Sequence, residues 1–198
     1  MARRQKGLIA GALALLLTPA ANALEVERLD VSFQKDRYVV VFEAQLNAPA
    51  DAVGAVLKDY VQYPALDSRI TESRILGSDR QGHVRLFTRM RGCLGALFCR
   101  SMQRVEEVEE RPEELLATAV LAESDVRFGI TRSQWMAHDG GTALGYRLEI
   151  MPKFWIPPIF GRRLMINTLR EGTLSMFTNV ESVAQRTGFA RRTSRRAR

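Results

Sequence analysis

Side chains that commonly carry catalysis are sparse in this 198-residue chain. Only two histidines occur, His83 just after a turn-like Asp-Arg-Gln-Gly run and His138 inside another turn. Neither has the neighbours that a nucleophile–histidine–carboxylate array or a histidine metal site demands, and both read as solvated. There is no G-x-S-x-G element and no glycine-rich phosphate cradle. The acidic run Glu106 to Glu114 could supply paired carboxylates, but it surrounds Pro112 between two strand-like stretches and reads as a solvated turn. Cys93 and Cys99, with no histidine beside them, are too few soft ligands for a metal. The residues therefore name no catalytic set and call for no metal or cofactor. If the chain is an enzyme, Tyr63 and Asp67 are the best general acid or base.

The aromatic residues say more. Tyr60, Tyr63, Trp135, Tyr146, Trp155, Phe160 and Phe177 are the candidates for the wall of an apolar ligand cavity, with Phe87 and Phe154 as further members. Taken singly, each reads more readily as ordinary core than as cavity wall. Trp155 stands apart, because it lies between Phe154 and Ile156 beside Pro157-Pro158. An apolar cluster in a loop needs a cavity mouth, a ligand or a membrane to cover it. Arg89 and Arg147 alternate with apolar neighbours and are expected on the outer face of their strands.

These side chains must be positioned by a recognisable order of elements. Val26 to Phe33 and Tyr38 to Leu46 read as a β-hairpin around Gln34-Lys35-Asp36-Arg37. Pro49 and Asp51 suit the first turn of a helix that carries Val53, Val56 and Leu57. A second short helix from Asp59-Tyr60 is expected to stop at Tyr63-Pro64. Strands follow at Ile70 to Leu76, Val84 to Met90, Phe98 to Val108 and Leu115 to Leu121. Two more, Val126 to Ala137 and Thr142 to Met151, flank His138-Asp139-Gly140-Gly141, a strong hairpin signal. After Pro152, Pro157 and Pro158, the 3–4 spacing of Phe160, Ile166, Leu169, Thr173, Phe177, Val180 and Ala184 predicts one long helix from about 159 to 184. The fold class is α+β: a long antiparallel meander whose apolar face only the last helix can cover.

The two ends set the compartment and the charge. Arg3, Arg4 and Lys6, the apolar run Gly7 to Leu17, and Ala21-Asn22-Ala23 make a secretory signal peptide over 1–23, cut before Leu24. The alternative is an uncut N-terminal anchor, for which the apolar run is short. The chain then divides into the leader, a domain over 24–185 and a basic tail over 186–198 that is too poor in apolar residues to pack. Leader and tail hold the surplus behind the net charge of +7, so a nucleic-acid partner loses its support. The tail offers peripheral contact with an anionic membrane surface. For an exported, periplasmic or secreted protein, Cys93 and Cys99 are expected to form a disulfide, the alternative being two separate thiols.

The ordered set of Asn47-Ala48-Pro49, Val53, Val56-Leu57, Asp59-Tyr60, Tyr63-Pro64, Trp135, Asp139-Gly140-Gly141-Thr142 and the Pro-rich loop before a long final helix resembles the START-like (SRPBCC) superfamily. Its coenzyme-Q-binding and polyketide-cyclase branch is the nearest in look. The resemblance covers roughly Val39 to Ala184. It implies a helix-grip fold, a curved sheet around the C-terminal helix, with a cavity between them for a lipid, quinone, sterol or polyketide. The expected function is an exported binding protein for a hydrophobic or amphipathic small molecule. The alternatives are a polyketide cyclase- or hydrolase-like enzyme using the same cavity, and a ligand-free interaction module.

Overall fold

The computed structural model describes residues 24–94, 98–157 and 160–196, and the side chains of all of these except 94, 98 and 189–196. The leader over 1–23 and the end of the tail lie outside the described residues. Among the described residues, no helix is long and apolar enough to cross a membrane.

β1 (Glu25–Gln34) and β2 (Arg37–Leu46) form the first hairpin. Lys35 and Asp36 both take positive φ, 48° and 62°, the backbone of a two-residue turn that matches strand twist. Pro49 precedes α1 (Ala50–Leu57), and a short 3-10 turn over Tyr60–Gln62 leads into α2 (Tyr63–Leu66). Tyr63-Pro64 thus begins a helix where the sequence predicts an end. Proline's fixed φ and missing N–H suit a first turn as well as a stop.

Six further strands follow: β3 (Ile70–Ser78), β4 (Val84–Leu94), β5 (Phe98–Arg111), β6 (Glu114–Ala119), β7 (Val126–His138) and β8 (Gly141–Pro152). Together they make one eight-stranded antiparallel sheet among the described residues, in the order β1-β2-β8-β7-β6-β5-β4-β3. The sheet is curved and unclosed, with β1 and β3 at its edges. α3 (Gly161–Arg196) lies in its concave face. The helix continues beyond residue 185, where composition places the end of the domain, and Gly188 is buried on Pro49 and Ala52 of the α1 region.

The two halves of α3 pack differently. Phe177, Val180 and Ala184 are fully buried against Phe42, Leu46, Val53 and Leu144. Phe177 stacks on Phe42, with ring centres 5.0 Å apart, and meets Tyr146 edge-on at 5.1 Å. Asn179 donates to the Leu66 carbonyl at 2.8 Å, which ties the helix to α2. Met165, Ile166 and Leu169, nearer the start, are only half-buried. α1 packs through Gly54, whose missing side chain leaves room for the Trp135 indole. A Cβ there would sit 2.7 Å from the indole nitrogen. This is why Trp135 is core and not cavity wall.

Phe42→Ala removes the stacked partner of Phe177 from a site with no exposure. It is expected to lower unfolding stability by about 3–5 kcal/mol, measured by urea titration against the parent chain.

Candidate functional site

The parting of α3 from the sheet leaves a cavity of about 290 Å³ between its first turns and strands β4 to β8. Tyr60, Tyr63, Tyr146, Trp155, Phe160 and Phe177 all line it, drawn together from α1–α2, β8, the loop before α3 and α3 itself. Trp135, expected with them, lies in the core. Phe87 is also elsewhere: it is buried on the outer side of β4, between the Arg74 and Arg89 guanidiniums. Arg89 and Arg147 face solvent as their alternation predicts.

The floor of the cavity holds charges that sequence reading missed. Glu106, read as part of a solvated turn, is 3 % exposed and lines the cavity. The cause is register. Pairing of β5 with β4 sets Met102, Arg104, Glu106 and Val108 opposite Met90, Thr88, Leu86 and Val84, and so on the cavity face. The turn lies farther on, at Pro112 and Glu113, where β5 meets β6. The usable signal was the alternation through Met102 and Val108, which fixes the inner face of β5 and brings Arg104 and Glu106 with it.

Arg104 and Glu106 form an ion pair at 3.3 Å, with side chains 14 % and 4 % exposed. Each keeps an unsatisfied atom. Arg104 Nε and Glu106 Oε1 have no hydrogen-bond partner among the described residues, nor do Thr88 Oγ1 and Thr131 Oγ1 on the same wall. Buried polar atoms normally find partners, so four orphans on one cavity wall mark a place where hydrogen bonds are on offer.

Asp67, Arg69, Tyr60 and Tyr63 are committed. Asp67 receives Arg69 through Nε at 2.9 Å, Nη2 at 2.6 Å and the Arg69 backbone N–H at 3.0 Å. Arg69 Nη1 donates to the Thr168 carbonyl of α3 at 2.7 Å, and the guanidinium lies over Gly172, where any Cβ would collide with it. Tyr63 donates to the Leu57 carbonyl at 2.8 Å, and Tyr60 to Glu110 at 2.7 Å. Burial raises the pKa of Tyr60, reinforced by its bond to Glu110, and that of Tyr63, reinforced by the nearby Glu106 charge. Burial also pushes Tyr146 up to about 12, and its hydroxyl makes no hydrogen bond to a described residue. All three phenols stay neutral at physiological pH, and Tyr146 alone is free to donate.

The mouth is framed by two contrasting segments. On one side the loop before α3 presents Trp155 and Phe160, 76 % and 61 % exposed. On the other, the far end of the β4–β5 hairpin overhangs the sheet. β3 pairs with β4 only as far as Met90, and β6 pairs with β5 only from Glu106. A two-stranded ribbon without neighbours is marginal by itself. This one is closed by a Cys93–Cys99 disulfide between directly paired residues, Cα atoms 3.9 Å apart. Among the described residues no group of three His, Cys, Asp or Glu could hold a metal ion.

No protein-family model matches the chain, and no curated protein matches it in sequence. Solved structures do match it in shape. A START superfamily protein from Mycobacterium smegmatis is 16 % identical, with a TM-score of 0.57 over 75 % of this chain and 98 % of that one. The Zhui aromatase/cyclase from Streptomyces sp. R1128 is 13 % identical, with a TM-score of 0.59 over 76 % and 96 %. A STAR-related lipid transfer protein from Xanthomonas axonopodis is 15 % identical, with a TM-score of 0.51 over 78 % and 97 %.

The exposures separate rim from wall. Trp155→Ala and Phe160→Ala are each expected to change stability by less than about 1 kcal/mol. Phe177→Ala, at 1 % exposure, should cost about 3–5 kcal/mol. Urea titrations of the three variants check the ranking. Cys93→Ser with Cys99→Ser opens only a short loop and should cost on the order of 2 kcal/mol, leaving unfolding a single transition by circular dichroism.

Proposed function

We propose that the chain, a curved antiparallel sheet around a long C-terminal helix with the START-like helix-grip fold, is an exported protein that binds one amphipathic small molecule in the cavity between sheet and helix. Its ligand has an apolar body and a single hydrogen-bonding group. The leader over 1–23 and the disulfide support the export part of this reading, since bridges persist in oxidising compartments.

One observation carries the binding part: a largely apolar enclosure has a buried Arg104–Glu106 pair on its wall with a hydrogen-bonding atom left over on each partner. The guanidinium Nε can donate and the Glu106 Oε1 can accept, so a hydroxyl or carbonyl reaching that wall would be met. Its apolar remainder would gain about 25 cal/mol for each Å² removed from water. The enclosed volume is at the small end for ligand pockets and suits a molecule of modest size. The neighbours include a lipid transfer protein and an aromatase/cyclase, and both names are consistent with a ligand held inside this fold.

Binding fits the site better than cyclase-type catalysis. The two groups that a general acid–base reading would use are occupied: Asp67 by Arg69, and Tyr63 by the Leu57 carbonyl.

Native mass spectrometry of protein taken from its own envelope should show a retained small molecule. A paired substitution tests the polar anchor. Glu106→Leu alone strands a buried guanidinium, at an expected cost of about 3 kcal/mol. Arg104→Met with Glu106→Leu replaces the pair by apolar groups and should fold with near-parental stability. In the parent, 1-decanol should displace the fluorescent probe N-phenyl-1-naphthylamine about tenfold better than n-decane does. The double variant should lose that preference while still binding the probe. An unchanged preference would remove the anchor, and an absence of probe binding in the parent would remove the pocket reading.

A further inference from the structure

Glu181 is a buried carboxylate whose surroundings are incomplete. It is 5 % exposed, on the tightly packed half of α3. Its Oε1 accepts the Asn47 backbone N–H at 2.7 Å, and its Oε2 accepts from the backbone nitrogen of Leu24 at 2.9 Å. One helical turn later, Gln185 donates to the Asn47 carbonyl at 2.9 Å, so both polar groups of that residue's backbone are held. None of the ion pairs among the described residues includes Glu181. A carboxylate this deep ordinarily has a cation beside it, because two amide dipoles repay only part of its lost hydration.

The missing cation is encoded at the other end of the chain. Ala21-Asn22-Ala23 puts small residues at the −3 and −1 positions of a leader cleavage site, and the next nitrogen is that of Leu24. Hydrolysis of the Ala23–Leu24 bond adds one water across it. Residues 1–23 leave with a carboxylate on Ala23, and the Leu24 nitrogen takes up protons to become an α-ammonium. A neutral amide with one donor thus becomes a cation with three, at the atom already 2.9 Å from Glu181 Oε2. The Leu24 side chain is half-buried against the cluster that contains Val180 and Ala184, so the new terminus is anchored there.

We propose that Glu181 is the receptor for the α-ammonium of Leu24, so that removal of the leader supplies the counter-charge of the buried carboxylate and stabilises the mature domain. The uncut chain folds with that charge uncompensated and is the weaker form. This rests on the export part of the reading above and not on the cavity.

Three chains test it: one beginning at Leu24 with a free amine, released from a fusion by a protease that leaves no extra residue; the same chain acetylated at the Leu24 nitrogen; and one that retains Ala23. At neutral pH the free-amine chain should melt about 2–4 °C above the other two. Glu181→Gln should bring all three together. Equal melting temperatures in the parent, or a gap that survives Glu181→Gln, would overturn the proposal. If the Gln variant does not fold, the free and acetylated chains alone decide, since acetylation keeps an N–H and removes only the charge. Intact mass of envelope protein should place its start at Leu24; any other start overturns the assignment. Binding of N-phenyl-1-naphthylamine should be equal in all three chains, so its loss would count against the cavity and leave this inference standing.

Discussion

The Phe42–Phe177 stack is the point at which the last helix is pinned to the sheet, and most of the architecture follows from where that pin sits. Both rings are essentially without exposure, and the flanking contacts of Val180 and Ala184 are equally dry. A helix bends only gently over this length while the sheet curves and twists, so contact that is close around Phe177 is not kept towards Gly161. The gap opens along the first turns of α3, where Met165, Ile166 and Leu169 are only half-covered. The cavity is therefore a geometric remainder of curvature against rigidity. It needs no special residues to exist, only side chains too small to fill it.

What fills the wall is less forced. Four hydrogen-bonding atoms without partners belong to residues that line a largely apolar space. Leaving such a group unmet costs about 1–3 kcal/mol each. A chain seeking stability alone would do better with leucine or methionine at Arg104 and Glu106. The Asp67–Arg69 pair differs in kind. Its guanidinium is used up by Asp67 and by the Thr168 carbonyl, and it clamps β3 to α3 beside the opening. One pair is structural and closed, while the other is open towards the cavity.

Much of this was legible in the sequence. The hairpin at His138-Asp139-Gly140-Gly141, the helix after Pro49 and the apolar spacing of α3 depend on local rules, and the structure follows them closely. Of the aromatic residues singled out, Tyr60, Tyr63, Tyr146, Trp155, Phe160 and Phe177 line the cavity, although taken one at a time most read as core. Trp135 was misassigned because its neighbour Gly54 lies 81 residues away in sequence, and nothing local announces a glycine that makes room for an indole. Glu106 was misassigned for the opposite reason. It stands in a run of acidic residues that suggests solvent, and only the register of β5 against β4 turns it inward. A side chain's face is set by its strand partner, and a cluster of like residues conceals that alternation.

Glu181 shows how the two ends of the molecule divide their tasks. Around it converge the start of β1, the turn after β2 and the late part of α3, elements joined by backbone hydrogen bonds to the buried Glu181 and the half-buried Gln185. Such contacts hold geometry firmly, because neither partner can rotate away without exposing the carboxylate. Just before the start of the same helix, more than five turns ahead of Glu181, the mouth is built from Trp155 and Phe160 in water and a hairpin end held by its own disulfide. Local opening is easiest where buried contacts are few. Opening of the cavity therefore belongs to the end of α3 that the sheet has released. The anchored end can stay folded throughout, since the coupling between the two runs through a helix whose hydrogen bonds need not break.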